Sequence, residues 1–381
     1  MDFRFTEEQQ LIKDMARKFA DKVVAPRAEE MEATGEYPYD IMSQMSELGM
    51  MGIPFPEEYG GSSGDWVSMN ICMEEISRGD LALGVLLDVT TLVGDELLQF
   101  GTEEQKRKWL VPIARGEKIG AFGLTEPEAG SDAGATRTAA VPDGDEWVIN
   151  GTKQFITSIG LDNASIVLIT ARTRSGEKGK RDIINTFIVP KSSPGFSLGK
   201  KYDKMALAHS ATHECIFEDC RLPRDAFLGK EGKGFSQHLA ALQTGRISIG
   251  ACSVGLAQAC FEAALKYARE RIQFGKPIYS YQGVSFKLAD MAMHIELART
   301  MVLKAAWLKD NNLPHTLEAS YAKLYASEMC ERCASDAVQI HGGYGFMNEY
   351  PVSRYYKQCK ALQIVEGTSE IQRIVISRNL G

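Results

Sequence analysis

Apolar residues return at helical spacing along the first hundred positions of this chain. Behind the capping-box pattern Thr6-x-x-Gln9, residues Leu11, Ile12, Met15, Phe19 and Val23 share one face until Pro26. The same period recurs in Ile41–Leu48, Val67–Ile76 and Leu81–Phe100, broken by Gly60-Gly61-Ser-Ser-Gly64 and Arg78-Gly-Asp80. From Gly120 the period changes to two. Trp147–Ile149 and Lys153–Ile156 flank Asn150-Gly151, a strong hairpin signal, and predict a turn there. Ser165–Ile169, Thr186–Val189 and Glu214–Phe217 add strands between Gly/Ser/Lys-rich turns, ending near Leu228-Gly229. The helical period resumes after Gly234, in Ala/Leu/Met-rich segments at 236–270, 281–310 and 316–340. No strand alternates with a helix, so a parallel dinucleotide-binding sheet is not indicated. The glycines of His341-Gly-Gly-Tyr-Gly345 do not spell the dinucleotide fingerprint either. The expected fold is α+β: an N-terminal helical domain (1–118), a central antiparallel β-domain (119–232) and a C-terminal four-helix bundle (233–381).

Composition narrows the function classes. The 381 residues carry 50 acidic and 43 basic side chains, net −7, and the basic residues are scattered, which argues against nucleic acid as a partner. The start, Met1-Asp-Phe-Arg-Phe-Thr-Glu-Glu, has no apolar signal core and is too acidic for a transit peptide. No stretch reads as long and apolar enough to span a bilayer, so a cytoplasmic protein is expected. The eight cysteines are spread through mostly apolar helical context, as reduced core thiols would be. Neither Cys330-x-x-Cys333 nor His209-x3-His213-x-Cys215 makes a convincing metal set, and no metal is expected.

The chemistry concentrates in three segments. In the tail Leu362-Gln-Ile-Val-Glu-Gly-Thr-Ser-Glu-Ile-Gln-Arg373, a carboxylate at Glu366 lies between apolar residues and a glycine that admits close approach to the backbone, the setting of a general base. Read with Leu124-Thr-Glu-Pro-Glu-Ala-Gly-Ser-Asp132 and Arg271-Ile-Gln-Phe-Gly-Lys-Pro277, the tail resembles the acyl-CoA dehydrogenase family of flavoenzymes, and the resemblance covers essentially the whole chain. It implies FAD as cofactor, an acyl-CoA thioester as substrate, an electron-transferring flavoprotein as partner, and a homotetramer built as a dimer of dimers.

Removing hydrogens from both Cα and Cβ of a thioester needs a base, a hydride acceptor and donors to the developing enolate, and only a cofactor accepts a hydride. The resemblance makes Glu366 the base, with its own backbone N–H at the thioester oxygen. It places Thr125 and Ser131 against flavin and CoA, and Phe155 and Thr157 against the flavin ring, although the latter two also read as ordinary strand alternation. It assigns Arg271, Gln273, Phe274, Gln339, Gly342 and Gly343 to the adenosine pyrophosphate of a neighbouring subunit's flavin, and Thr368 and Glu370 to the flavin of their own. Gln243, Arg246, Val365 and Gly367 fall beside the thioester.

Some positions depart from the family pattern. A sub-group of the family carries its base just before an arginine on a bundle helix, where this chain has Gly245 before Arg246. Val365 replaces a usual aromatic, and together with Gly245 it predicts a wide pocket for a short or alicyclic acyl group, a cyclohexane-carboxyl thioester being the special case. Gln243 stands for an acidic residue, and Ala206 and Ala208 stand for a glycine and an arginine in the strand expected after Lys204-Met205. Asp88, with Thr91 and Asp95 at i, i+3 and i+7, reads either as a solvated stripe or as a carboxylate facing the substrate. Three other readings remain: an enoyl-CoA reductase for an arylacrylyl-type thioester, a flavin oxidase, and a catalytically silent flavin- or CoA-binding subunit of an electron-bifurcating complex.

Overall fold

The computed structural model describes residues 4–173 and 183–380. Met1–Phe3 and most of the Gly/Ser/Lys-rich turn expected before Thr186 lie outside that range. The first helices are α1 (Glu7–Phe19), α2 (Ala28–Thr34), α3 (Tyr39–Glu47), α4 (Trp66–Gly79) and α5 (Leu81–Phe100), followed by the short turns α6 (Glu103–Gln105) and α7 (Val111–Ala114). The caps are those written in the sequence. Thr6 accepts from the Gln9 N–H at 3.2 Å while its own N–H donates to the Gln9 side chain at 3.0 Å. Asp80 caps α5, accepting from the Leu83 N–H at 3.1 Å, and so sets the direction in which α5 enters the core.

Among the described residues eight strands form one sheet: β1 (Ile119–Gly123), β2 (Ala139–Asp143), β3 (Glu146–Thr157), β4 (Ala164–Thr173), β5 (Ile183–Pro190), β6 (Phe196–Lys201), β7 (Thr212–Pro223) and β8 (Phe227–Leu228). Their order is β6-β7-β3-β2-β4-β5-β8, with β1 beside β4. The pairing is antiparallel except that β1 runs parallel to β4 and β2 touches β4 in parallel, so the sheet is mixed.

The hairpin predicted at Asn150-Gly151 is absent: β3 runs through both residues, and the turn lies at Gly144, where Asp143 pairs with Glu146. The Asn-Gly pair instead makes a register shift against β7. Gly151 has φ 148°, and a Cβ there would come within 2.6 Å of Thr138 Oγ1, so only glycine fits. The side chain of Asn150 accepts from the Asp219 N–H at 2.8 Å across the shift. The strand expected after Lys204-Met205 is also missing. Leu207 takes a left-handed φ of 61°, and the neighbouring His209 turns to Asp80, with 2.9 Å between Nε2 and Oδ1. Burial opposes charge on that imidazole, but the Asp80 carboxylate outweighs burial and raises it.

The last third comprises α8 (Gly234–Glu270), the two-stranded turn β9 (Ile272–Gln273) and β10 (Lys276–Pro277), then α9 (Gln282–Asp310), α10 (Thr316–His341), α11 (Pro351–Leu362) and α12 (Ser369–Arg378). By length and composition α8 could cross a membrane, contrary to the sequence reading, but most of its apolar stretch is buried inside the fold. It is the central helix of the bundle and packs on α4, α5, α9 and α10.

One buried ion pair ties the β-domain together. Lys153 on β3 donates to Glu126 at 2.7 Å, and also to the Leu124 carbonyl at 3.1 Å and the Thr170 hydroxyl at 3.1 Å. Glu126 further accepts from the Arg137 N–H at 2.6 Å and from the Thr138 N–H and Thr136 hydroxyl at 3.1 Å each. The loop from Leu124 to Asp132 is therefore fixed at its entry and pinned to β3.

Candidate active site

Glu366 and Gly367 form a left-handed turn between α11 and α12, with φ 53° and 97°. Glycine adopts this without cost, whereas a glutamate there is strained by roughly 1–2 kcal/mol. The turn is held from both ends. Thr368 caps α12 through the Ile371 N–H at 3.3 Å, and the Gly367 carbonyl accepts from Lys323 Nζ at 2.8 Å and Gln372 Nε2 at 2.9 Å.

The turn points the Glu366 carboxylate at α8. A Cβ placed on Gly245 would lie 2.1 Å from Glu366 Oε2, so the space a side chain would fill at 245 belongs to the carboxylate of 366. Gly245 therefore makes room for the acid and does not widen the pocket, which removes half of the wide-pocket expectation. Val365, the other half, is partly buried and packs against the main core.

Asp88 reaches in from α5 and is 1% exposed. Thr91 and Asp95 are buried as well, with Asp95 bonded to Thr244 at 2.7 Å and to Lys309 at 2.9 Å. The solvated-stripe reading is overturned: this helix is buried on every face from Leu81 to Leu97, its polar residues included. No fixed donor reaches either oxygen of Asp88 or Oε2 of Glu366 among the described residues, so the bond between the two acids needs a proton held on one of them. Burial, reinforced by the Glu366 carboxylate, pushes the Asp88 carboxyl well above the usual carboxylate range, so of the two acids it holds a proton the more readily. Burial also raises Glu366, but contact with Asp88 and the cations Lys323 and Arg246 pull it back. The outcome is one neutral acid facing one ionisable base. Arg246, also buried, leaves Nε without a partner.

The other expected site residues fall into two further groups. Thr125 and the exposed Ser131 lie on the loop pinned by Glu126, and the Gln154 N–H donates to the Thr125 carbonyl at 2.7 Å, placing that loop beside Phe155 and Thr157. Phe155 is 59% exposed at a left-handed φ of 61°, a strained and outward-facing aromatic. Gln243 is partly buried, with its Oε1 accepting from the Thr316 hydroxyl at 2.9 Å, and Glu370 is exposed in the first turn of α12.

Arg271, Gln273, Gly342 and Gly343 line a groove of about 480 Å³ with Tyr267 and Tyr344, and neither glycine has any atom within 4 Å of where a Cβ would stand. Gln339 is exposed near it, on the last turn of α10. Phe274, 94% exposed at φ 51°, projects close by. Open glycine backbone, a guanidinium and exposed aromatics suit a phosphate-bearing aromatic group. This groove sits at the far end of α8, roughly 26 residues or about 39 Å from Gly245, and does not join the Glu366 site of the same chain.

Family models match the acyl-CoA dehydrogenase N-terminal domain at residues 6–117, the middle domain at 121–220 and the C-terminal domain at 232–381. The probable acyl-CoA dehydrogenase YngJ of Bacillus subtilis is 52% identical, with all of both chains covered.

This chain belongs to the acyl-CoA dehydrogenase family.

As a member it is an oxidoreductase that works with a flavin on a carbon–carbon single bond. The solved butyryl-CoA dehydrogenase of Megasphaera elsdenii is 42% identical, covers all of both chains and superposes with a TM-score of 0.96. The caffeyl-CoA reductase-Etf complex subunit CarC of Acetobacterium woodii is 44% identical over 98% of each chain.

Sequence reasoning missed Lys323, Lys153 and the buried pair of His238 and Glu96, whose Nδ1 and Oε1 lie 2.9 Å apart. The signal for both lysines was available. Lys323 shares a helical face with Ala319, Ala322 and Ala326, and Lys153 sits on a strand at an inward position, where a charge is out of place unless partnered.

Proposed function

We propose that this protein binds FAD and dehydrogenates a short acyl-CoA thioester between its α and β carbons, passing the electrons to an electron-transferring flavoprotein. The observation that carries the reading is the Glu366 carboxylate, buried at Oε2 with no fixed donor, strained at its backbone, and fitted into the space left by Gly245.

A bound flavin supplies the acceptor for the hydride that leaves the β carbon. Thr125, Ser131, Phe155, Thr157, Thr368 and Glu370 would hold it on the subunit that owns the base. The Arg271 groove, with Gln273, Phe274, Gln339, Gly342 and Gly343, would take the pyrophosphate end of a neighbour's. Such sharing requires association, and the homotetramer is supported by Phe286, Met293 and Leu297, which are exposed on one face of α9.

Glu366 takes the α-proton while its own backbone N–H donates to the thioester oxygen. Arg246 and Lys323 favour the ionised base. Ser131, Gln243 and Val365 line the way in. Asp88 closes the acyl end, and burying a long hydrocarbon against a polar carboxyl is unfavourable, so short chains are preferred. Likeness to a butyryl-CoA dehydrogenase agrees with a short substrate, while nothing in these likenesses supports the cyclohexane-carboxyl case.

A second reading runs the same chemistry backwards, as an enoyl-CoA reductase. A neutral Asp88 beside the base is a store for the proton that reduction consumes, and likeness to the CarC subunit supports it. The intact Glu366 speaks against a silent subunit. Anaerobic mixing of the purified flavoprotein with butyryl-, octanoyl- and palmitoyl-CoA tests the main reading. Bleaching of the flavin should be fastest with butyryl-CoA. Bleaching with none of the three, or fastest with palmitoyl-CoA, would contradict it.

A further inference from the structure

Lys323 lies on α10 with no exposed surface at all. Burying an ammonium costs several kcal/mol unless something opposite repays it. The hydrogen bond it donates to the Gly367 carbonyl at 2.8 Å holds the turn but calls for a donor, not a charge, as the neutral Gln372 amide donating to the same oxygen at 2.9 Å shows. A methionine would fill the same volume more cheaply.

The groups facing the ammonium are Glu366, Arg246, Glu370 and Glu328. Glu370 is exposed at the start of α12, and Glu328 pairs with Arg373 at 2.7 Å. Arg246 repels it. The buried anion that compensates Lys323 is therefore Glu366, whose neighbour across the pocket is Asp88.

We propose that Lys323 is a positioning residue that sets both the direction and the proton affinity of Glu366, holding its strained turn through Gly367 and keeping the negative charge on Glu366 in preference to Asp88. This inference rests on the reading of Glu366 as the base. Lys323 touches neither reacting carbon. Its hydrogen bond holds the turn from which the carboxylate points, and its charge, added to that of Arg246, favours ionisation of Glu366 over the more deeply buried Asp88. Burial lowers Lys323 itself to about 8, against the pull of Glu366, so the cation is present at neutral pH and is lost in alkaline solution.

Three substitutions separate charge from shape. Lys323→Met removes both bond and charge, Lys323→Gln keeps a donor without charge, and Lys323→Arg keeps the charge. Turnover of butyryl-CoA is followed from pH 5.5 to 9.5 in the flavin-loaded enzymes, together with melting midpoint, flavin content and the infrared carboxylate band that disappears in Glu366→Gln.

A nearby cation lowers a carboxylate by about 1–3 pH units, so its loss should move the acid limb of kcat, and the midpoint of the infrared band, upward by about one unit or more. This should appear in both Lys323→Met and Lys323→Gln, with kcat near pH 7 down roughly tenfold or more and KM changed less than about threefold. Lys323→Arg should restore the limb at least in part. If Lys323→Met does not fold, Lys323→Gln and Lys323→Arg still decide. Unshifted limb and band in the neutral variants, with losses that track melting or flavin content alone, would overturn the proposal while leaving Glu366 as the base. Parent-like turnover in Glu366→Gln would overturn both.

Discussion

Two buried clusters of charge in this protein have opposite characters. Around Glu126 and Lys153 the donors and acceptors meet: the carboxylate takes four partners and the ammonium four, all between β3, β4 and the 124–138 loop. Around Glu366 and Asp88 they do not: among the described residues three buried carboxyl oxygens have no fixed donor and share only a proton between the two acids. Both arrangements place ionisable groups out of water, at a cost that only pairing offsets. Saturation marks the first as scaffold, since it has no valence left for a substrate. The open valences of the second are what a thioester and its departing proton can use.

Substitutions should therefore separate into losses of stability in one cluster and losses of rate in the other. The largest effect is expected from Lys153→Met, which strands a buried Glu126 and should cost about 3–5 kcal/mol in denaturant unfolding. A loss under about 1 kcal/mol would break the comparison.

Glu366→Gln comes next. It should lower turnover at least about a hundredfold, the usual contribution of a general base, with the melting midpoint nearly unchanged. Gly245→Ala should follow, at roughly tenfold or more, because its new methyl overlaps the carboxylate at 2.1 Å and must turn it aside. Full activity in Gly245→Ala would show that Glu366 works in another position.

The smallest effect is on the pH profile. Since burial raises Glu366 and the base must be ionised, turnover should fall on the acid side at a higher pH than for an ordinary glutamate. Two coupled acids should make that limb broad, and Asp88→Asn should reduce it to a single step without loss of stability. An unaltered limb in Asp88→Asn would uncouple the pair.

The sequence made much of this legible, for identifiable reasons. Helical periodicity placed α4, α5 and the three long bundle helices, because each buries a face whose spacing survives in the sequence. Asn150-Gly151 misled because its backbone freedom serves a register shift as well as a turn. Asp88 stayed ambiguous because spacing alone cannot say which face of α5 is wet. The signal was that apolar residues surround the few polar ones of α5 on every side, as in a helix inside the protein. Glu366 and Gly245 were each noticed, but their contact depends on the left-handed turn that swings residue 366 onto α8 from about 120 positions away, and no local pattern encodes it.

The central claim is that Glu366 removes the α-proton, and it can be tested apart from every later step. The flavin-loaded enzyme is incubated with butyryl-CoA in D2O without an electron acceptor, and deuterium at the α carbon is measured by mass spectrometry. The parent should exchange it readily and Glu366→Gln at least about a hundredfold more slowly. Equal exchange in the two proteins would contradict the account.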